Sequence, residues 1–98
     1  MNEVLLTGRL TKDPEARGSV VNFTIAVDRH DKNNSTDFPR ITVFGKQGEN
    51  CMKYLKKGSL VGINGRLQTG SYEKDGITIY TTDVIADRVE FLSKPLDF

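Results

Sequence analysis

The chain has 98 residues, 37% of them hydrophobic and 28% charged, so it can form one modest hydrophobic core but not two. It contains no apolar run of 18 residues, and its start, Met1-Asn2-Glu3, lacks a secretory-signal pattern. Fourteen basic and thirteen acidic residues leave a net charge of +1, which alone is weak evidence against a nucleic-acid partner. We therefore expect a single cytoplasmic domain that does not enter a membrane.

Catalytic and metal-binding patterns are missing from the sequence. A single cysteine, Cys51, and a single histidine, His30, cannot form a disulfide or a Cys/His metal cluster within one chain. Gly45-Lys46 looks like the end of a phosphate-binding loop, but Gln47 stands where Ser or Thr is required. We expect no cofactor, no metal and no enzymatic activity, with Cys51 buried in a helix and His30 solvated in a loop.

Three strands are predicted in the first half of the chain, at residues 4–10, 21–27 and about 38–44, because apolar and polar side chains alternate there. Residues 28–37 are entirely polar and predict a mobile loop between the second and third strands. A helix is predicted at 47–57, with Gly58 as its stop and three lysines in its last turn: Lys53, Lys56 and Lys57.

The second half predicts two long strands joined in a hairpin. The fourth strand starts near Leu60, Asp75-Gly76 is a strong tight-turn signal, and the last strand runs toward Leu92. Its alternation changes phase between Ile85 and Val89, which indicates a β-bulge. The order β-β-β-α-β-β with a long hairpin between the fourth and fifth strands predicts an all-β protein with one helix, a five-stranded OB-fold barrel.

The third strand has an unusual distribution of side chains. Ile41 and Val43 are expected to face the core, so Phe38, Arg40 and Phe44 share the opposite face, which is normally polar. One alternative is that the helix or a second subunit covers this face. Arg40 makes burial less favourable, because an unpaired buried charge is costly.

The fourth strand and the charge distribution indicate the same kind of surface. Arg66, Tyr72 and Lys74 share the outward side of that strand, although an ordinary solvated face is the alternative. Residues 40–66 hold six basic residues and one acid, a charge of +5, whereas the remaining eight basic and twelve acidic residues give −4. Aromatic rings that stack on bases and cations that bind phosphates are what single-stranded nucleic acid requires.

The chain resembles the bacterial and phage single-stranded DNA-binding (SSB) proteins over about residues 1–92. The resemblance rests on an ordered set of stretches: Gly8-Arg9-Leu10-Thr11-Lys12-Asp13-Pro14-Glu15, Phe23-Thr24-Ile25-Ala26-Val27, Val43-Phe44-Gly45-Lys46-Gln47, Tyr54-Leu55-Lys56-Lys57-Gly58-Ser59, Gly65-Arg66-Leu67-Gln68-Thr69 and Tyr80-Thr81-Thr82-Asp83-Val84.

This resemblance implies an OB-fold that assembles as a homotetramer and binds single-stranded DNA, without sequence preference, in replication, recombination or repair. The base-stacking residues that it implies are Phe38, Phe44 and Tyr72, the same aromatic residues that the alternation of the third and fourth strands places outward. With the outward cations of the strand pattern included, the predicted phosphate-binding residues are Arg9, Arg17, Arg40, Lys46, Lys57, Arg66 and Lys74.

The predicted domain covers residues 1–92, and residues 93–98 form a short tail. Family members usually end in an acidic tip that recruits other proteins, and Asp97 with the terminal Phe98 resembles a reduced tip, although a plain chain end is the alternative. Two other functions stay open at this point. One is a protein-interaction module of a replication or primosome-type assembly that uses the Phe38 and Phe44 face, and the other is an RNA-binding, cold-shock-like module.

Overall fold

The computed structural model describes residues 1–93. Seven strands and one helix occur in this part of the chain. Their bounds are β1 Val4–Leu10, β2 Glu15–Arg17, β3 Val20–Asp28, β4 Thr36–Asp37, β5 Arg40–Phe44, α1 Gly45–Tyr54, β6 Leu60–Lys74 and β7 Ile77–Ser93.

Five of these strands close into a ring. The order is β1-β6-β7-β5-β3, and β3 pairs with β1 to complete the ring. The β5–β7 pair is parallel and the other pairs in the ring are antiparallel. The predicted OB-fold barrel is therefore confirmed, with two short strands, β2 and β4, added on β3.

The hydrophobic core fills the inside of this ring. Val21, Ile25, Ile41, Val43 and Val61 are at most 4% exposed, and they occupy alternate positions on β3, β5 and β6. Each strand therefore turns one side to the core and the other side outward, as the alternation predicted. The predicted direction of Ile41 and Val43 is confirmed.

Helix α1 differs from the prediction at both ends. It begins at Gly45 and ends at Tyr54, where 47–57 was expected. The backbone becomes extended at Leu55, whose side chain is buried, so Lys56 and Lys57 lie beyond the helix and not in its last turn. The expected burial of Cys51 is confirmed, and this burial raises the pKa of its thiol to about 11.

The predicted bulge in β7 is confirmed and lies at Asp87. Gly65 of β6 is opposite Ala86, whereas the preceding Asn64 is opposite Arg88, which leaves Asp87 as the additional residue. Gly65 permits this geometry, because a Cβ atom there would collide with the backbone carbonyl of Ile85. The bulge bends the long strand as it leaves the barrel for the hairpin.

The polar segment at residues 28–37, predicted to be a mobile loop, connects β3 to the short strand β4, and residues 29–35 form no helix or strand. Val27 and Asp28 of β3 pair with β4. The Arg29 guanidinium donates to both carboxylate oxygens of Asp37, at 3.2 and 2.6 Å. Inside the turn, Asp31 accepts the backbone N–H of Ser35 at 2.9 Å. Polar side chains in this segment form hydrogen bonds with nearby backbone groups. A mobile loop can have the same amino-acid composition, so composition alone does not predict these bonds.

Candidate nucleic-acid interface

The register of β5 defines the candidate site. Phe44 is opposite Val20 of β3, and Arg40 is opposite Thr24. Directly opposed residues point to the same side of a sheet, so these side chains share the surface that faces away from the core. Val20 is in turn opposite Arg17 of β2, which extends this surface across a third strand. We call it the outer face: the outward side chains of β2, β3, β5, β7 and β6.

The outer face continues through β7 into the long hairpin. Thr42 of β5 is paired with Ile85 of β7, and Ile85 is opposite Arg66 of β6. Alternation along β6 then places Tyr72 and Lys74 on the same side as Arg66. The pairing therefore joins the outward sides of two strands that are separated by the helix in the sequence.

All three predicted stacking aromatics are accessible. Phe38 is 62% exposed, Phe44 51% and Tyr72 52%, although aromatic side chains of this size are usually buried. Within residues 1–93, helix α1 does not cover Phe38 and Phe44, so the alternative that the helix buries this face is wrong. The alternative that a second subunit covers it stays a prediction. Exposed rings on a sheet surface are suited to stacking with planar groups.

An open groove of about 470 Å³ lies on the outer face beside Phe38. Arg17 and Arg40 line it as well, so two of the predicted phosphate-binding residues border the same space as a predicted stacking ring. The remaining lining residues are Thr11, Lys12, Asp13, Glu15, Asn22, Phe23 and Thr24. The Thr42 hydroxyl donates to the side-chain oxygen of Asn22, one of the lining residues, at 2.9 Å, which holds this polar pair in place.

Arg40 and Arg66 face acids that the sequence pattern placed elsewhere. Arg66 Nη1 lies 3.0 Å from Asp87 Oδ1, and Arg40 Nε lies 3.8 Å from Asp83 Oδ1. Both aspartates fall outside residues 40–66, so the expected separation into a cationic centre and an acidic remainder does not hold in space. The alternation along β7, which places Asp83 on the outward side, is a sequence signal that could have found this acid. Which cation it contacts depends on the pairing of β7 with β5 and β6.

The other predicted phosphate-binding residues differ in their surroundings. Lys46, in the first turn of α1, lies 3.9 Å from Glu49 and is largely exposed. Lys74 is exposed at the hairpin tip. Arg9 Nη1 donates to the Gly58 carbonyl at 2.9 Å, and the backbone N–H of Lys57 donates to Asp13 at 2.8 Å. The last two contacts tie the segment after α1 to β1 and the loop that follows it.

Residues 1–93 contain no group of three or more His, Cys, Asp or Glu side chains arranged to hold a metal ion. No helix in the same part of the chain has the length and apolar character needed to cross a membrane. His30 lies in the loop and is exposed, as predicted. Asp97 and Phe98 lie outside the described residues.

The family model for the single-strand binding protein family matches residues 1–92. The chain belongs to the single-strand binding protein family. A curated relative, the "Single-stranded DNA-binding protein" of Clostridium tetani (strain Massachusetts / E88), is 50% identical over 102 residues, which cover 94% of this chain and 70% of the relative.

Two further relatives of the family show the same degree of similarity. "Single-stranded DNA-binding protein 1" of Staphylococcus aureus (strain Mu50 / ATCC 700699) is 50% identical, with 94% of this chain and 65% of the relative covered. "Single-stranded DNA-binding protein 3" of Clostridium acetobutylicum is 47% identical, with 94% and 71% covered. The chain thus spans about two thirds of the length of these relatives.

Proposed function

We propose that this chain binds single-stranded DNA without sequence preference and protects exposed strands during replication, recombination or repair. The observation that carries the proposal is the exposure of Phe38, Phe44 and Tyr72, each of which is half exposed or more. Phe44 and Tyr72 lie on the outer face, and Phe38, which precedes β5, borders the groove on that face. Unpaired bases expose planar apolar faces, and stacking each of them on an aromatic ring is worth about 1–3 kcal/mol. Membership of the single-strand binding protein family supports the same function.

In this proposal the aromatic rings bind bases and the surrounding cations bind the phosphates between them. Arg17 and Arg40 border the groove beside Phe38. On β6, Arg66 precedes Tyr72, and Lys74 follows Tyr72 at the hairpin tip. Lys46 follows Phe44 by two residues. Such a surface needs no catalytic group, so we propose a binding protein and not an enzyme, acting in the cytoplasm. The phosphate-binding residues proposed are Arg9, Arg17, Arg40, Lys46, Lys57, Arg66 and Lys74.

We also propose that the chain forms a homotetramer, the assembly that its resemblance to the SSB proteins implies. In residues 1–93, the segment from Val4 to Gly8 pairs with β6 along one edge, while β3 pairs with β1 only at Arg9 and Leu10. An unpaired strand edge with an exposed leucine, Leu5 at 70%, supports association with another chain. Recruitment of replication or repair proteins through Asp97 and Phe98 stays a prediction.

The decisive experiment compares single-stranded and duplex DNA. Fluorescence anisotropy with a labelled dT oligomer, a mixed-sequence single strand and the corresponding duplex measures the three affinities at one salt concentration. We expect the two single strands to bind with similar affinity and the duplex to bind much more weakly, because stacked base pairs do not offer their faces. Equal binding to duplex and single strand would contradict the proposal.

Native mass measurement of the same samples tests the oligomer. We expect a mass of four chains, and a monomer at micromolar concentration would contradict the assembly proposal while leaving DNA binding untouched.

Tight binding of an RNA oligomer in preference to DNA would instead favour the RNA-binding alternative. If a protein partner buries the Phe38 and Phe44 rings and the dT oligomer leaves them exposed to solvent, the alternative of a protein-interaction module would be favoured.

A further inference from the structure

Two aspartates on β7 lie beside two of the arginines proposed to bind phosphates. Asp87 forms a hydrogen-bonded ion pair with Arg66 at 3.0 Å, and Asp83 lies 3.8 Å from the Nε atom of Arg40. The four side chains are between 31% and 59% exposed, so a nucleic acid can reach them from solvent. The charges of the two pairs cancel, which leaves the centre of the outer face locally neutral.

The position of Asp87 is built into the fold. It is the additional residue of the β7 bulge, and the bulge is held from the other side by Gln47 of α1. The Gln47 amide nitrogen donates to the Asp87 carbonyl at 3.2 Å, and its oxygen accepts the Val89 N–H at 2.7 Å. The backbone that carries this carboxylate is therefore fixed on both sides, and the carboxylate faces Arg66 as a consequence.

We infer that Asp83 and Asp87 compete with DNA phosphates for Arg40 and Arg66, and thereby weaken single-strand binding and reduce its dependence on salt. This inference rests on the proposed function. A carboxylate and a phosphate are both anions that accept the same guanidinium N–H groups. Solvent-exposed ion pairs contribute little, so a strand can displace the aspartates, but each displaced carboxylate stays close to the phosphate and repels it.

The geometry favours competition over the opposite role, in which the aspartates orient the arginines for DNA. The Arg40–Asp83 distance of 3.8 Å is too long for a hydrogen bond, so Asp83 does not fix the direction of the guanidinium. Arg66 is held through a single Nη1 contact and not a two-bond clamp. At these distances the negative charge still acts on a nearby phosphate, while the orienting effect is weak.

The test removes each charge and keeps the shape of the side chain. Asp87→Asn, Asp83→Asn and the double variant are compared with the wild-type protein by anisotropy with a dT oligomer across a range of salt concentrations. We expect each single variant to bind about two- to fivefold more tightly at low salt. The plot of log affinity against log salt should become steeper in each, most in the double variant.

Glu90→Gln is the matched control, because it removes one acid from the same strand. Glu90 lies 3.0 Å from Arg88, whose side chain is not among the proposed DNA contacts. We expect this variant to change affinity by less than half of the effect of Asp87→Asn. Thermal unfolding and native mass are recorded for every variant, and Asp83→Asn keeps the test valid if a change at the bulge disturbs folding.

A double-mutant cycle isolates the competition from a general gain of positive charge. In an Arg66→Gln background, the tighter binding caused by Asp87→Asn should fall to the level of the Glu90→Gln control. Equal effects of Asp87→Asn and Glu90→Gln, or weaker binding by Asp87→Asn, would overturn the inference. These outcomes differ from failure of the proposed function, which the wild-type protein alone would show by not preferring the dT oligomer over duplex.

Discussion

Tyr72 and Tyr80 lie on opposite faces of the same two-stranded hairpin. Tyr72 is opposite Ile79 in the β6–β7 register, whereas Tyr80 is opposite Ser71, so the two rings point to different sides. Both are exposed, at 52% and 81%. The hairpin therefore carries a tyrosine on the outer face and a second, similar tyrosine that serves as an internal control.

The first prediction uses this pair. Tyr72→Ala should weaken binding of a dT oligomer by about 5- to 100-fold, because it removes a stacking contact. Tyr80→Ala should change the affinity by less than twofold, since its ring faces away from the outer face. Fluorescence titrations of both variants measure the difference, and equal losses in the two would contradict the placement of the site.

The second prediction separates stacking from phosphate binding. Phe44→Ala should weaken binding with little change in the salt slope, because a ring releases no counterions. Lys46→Ala should flatten the slope by about 0.7 if it removes one phosphate contact with a single strand. Lys53→Ala is the control on the same helix, because its ammonium lies over the Tyr54 ring. A slope change in Phe44→Ala equal to that in Lys46→Ala would refute the assigned roles.

The third prediction concerns close packing at the bulge. Gly65→Ala should destabilise the fold by about 1–3 kcal/mol or more, because the added methyl group meets the Ile85 carbonyl in a packed sheet. Gly62→Ala, three residues earlier on β6, should change the stability by less than about 1 kcal/mol. The nearest atom to its added Cβ is Leu92 Cδ1 at 3.6 Å, an ordinary contact. Urea unfolding of both variants provides the measurement, and equal stabilities would count against this packing.

The fourth prediction concerns pH and the 28–37 hairpin. The Ser35 N–H holds the pKa of Asp31 below its ordinary value of 3.8, and the Arg29 guanidinium lowers the pKa of Asp37 in the same way. A carboxylate with a lowered pKa stabilises the folded hairpin above pH 3.8 and loses this effect as the pH falls through the lowered value. The hairpin should therefore loosen only below about pH 3.8.

An NMR titration of the Ser35 amide resonance follows this transition. Asp31→Asn is the matched variant, since it retains an oxygen acceptor that does not titrate, and its Ser35 amide should lose the part of the pH response that Asp31 causes. A midpoint for wild-type Ser35 at or above pH 3.8 would be incompatible with the bonded carboxylate.

Local sequence patterns were sufficient to predict most of the elements. The alternation of β1 and β3, the Asp75-Gly76 turn and the β7 bulge were all predicted from neighbouring residues. In the turn, Asp75 and Gly76 both adopt positive φ angles, as a two-residue hairpin turn requires. These features depend on side chains a few positions apart, so a single segment contains the information that determines them.

The helix bounds and the polar hairpin were less predictable. Leu55 ends α1 because its side chain enters the core, and that requirement comes from packing, not from propensity. The hairpin at 28–37 has the composition of a mobile loop, but its order depends on which carboxylate meets which N–H group. Arg29 and Asp37 are eight residues apart and meet only because β4 pairs with β3.

The sequence by itself determined which side chains point outward on each strand, and so selected Phe38, Phe44 and Tyr72. The tertiary structure alone decided that these outward sides form one surface, because the β5–β7 and β6–β7 registers join residues far apart in the chain. It also decided the charge of that surface. A net charge of +1 and a basic central segment describe the chain, but strand pairing and the bulge bring Asp83 and Asp87 against Arg40 and Arg66. Electrostatic interactions depend on distance in space, which a sum along the sequence does not contain.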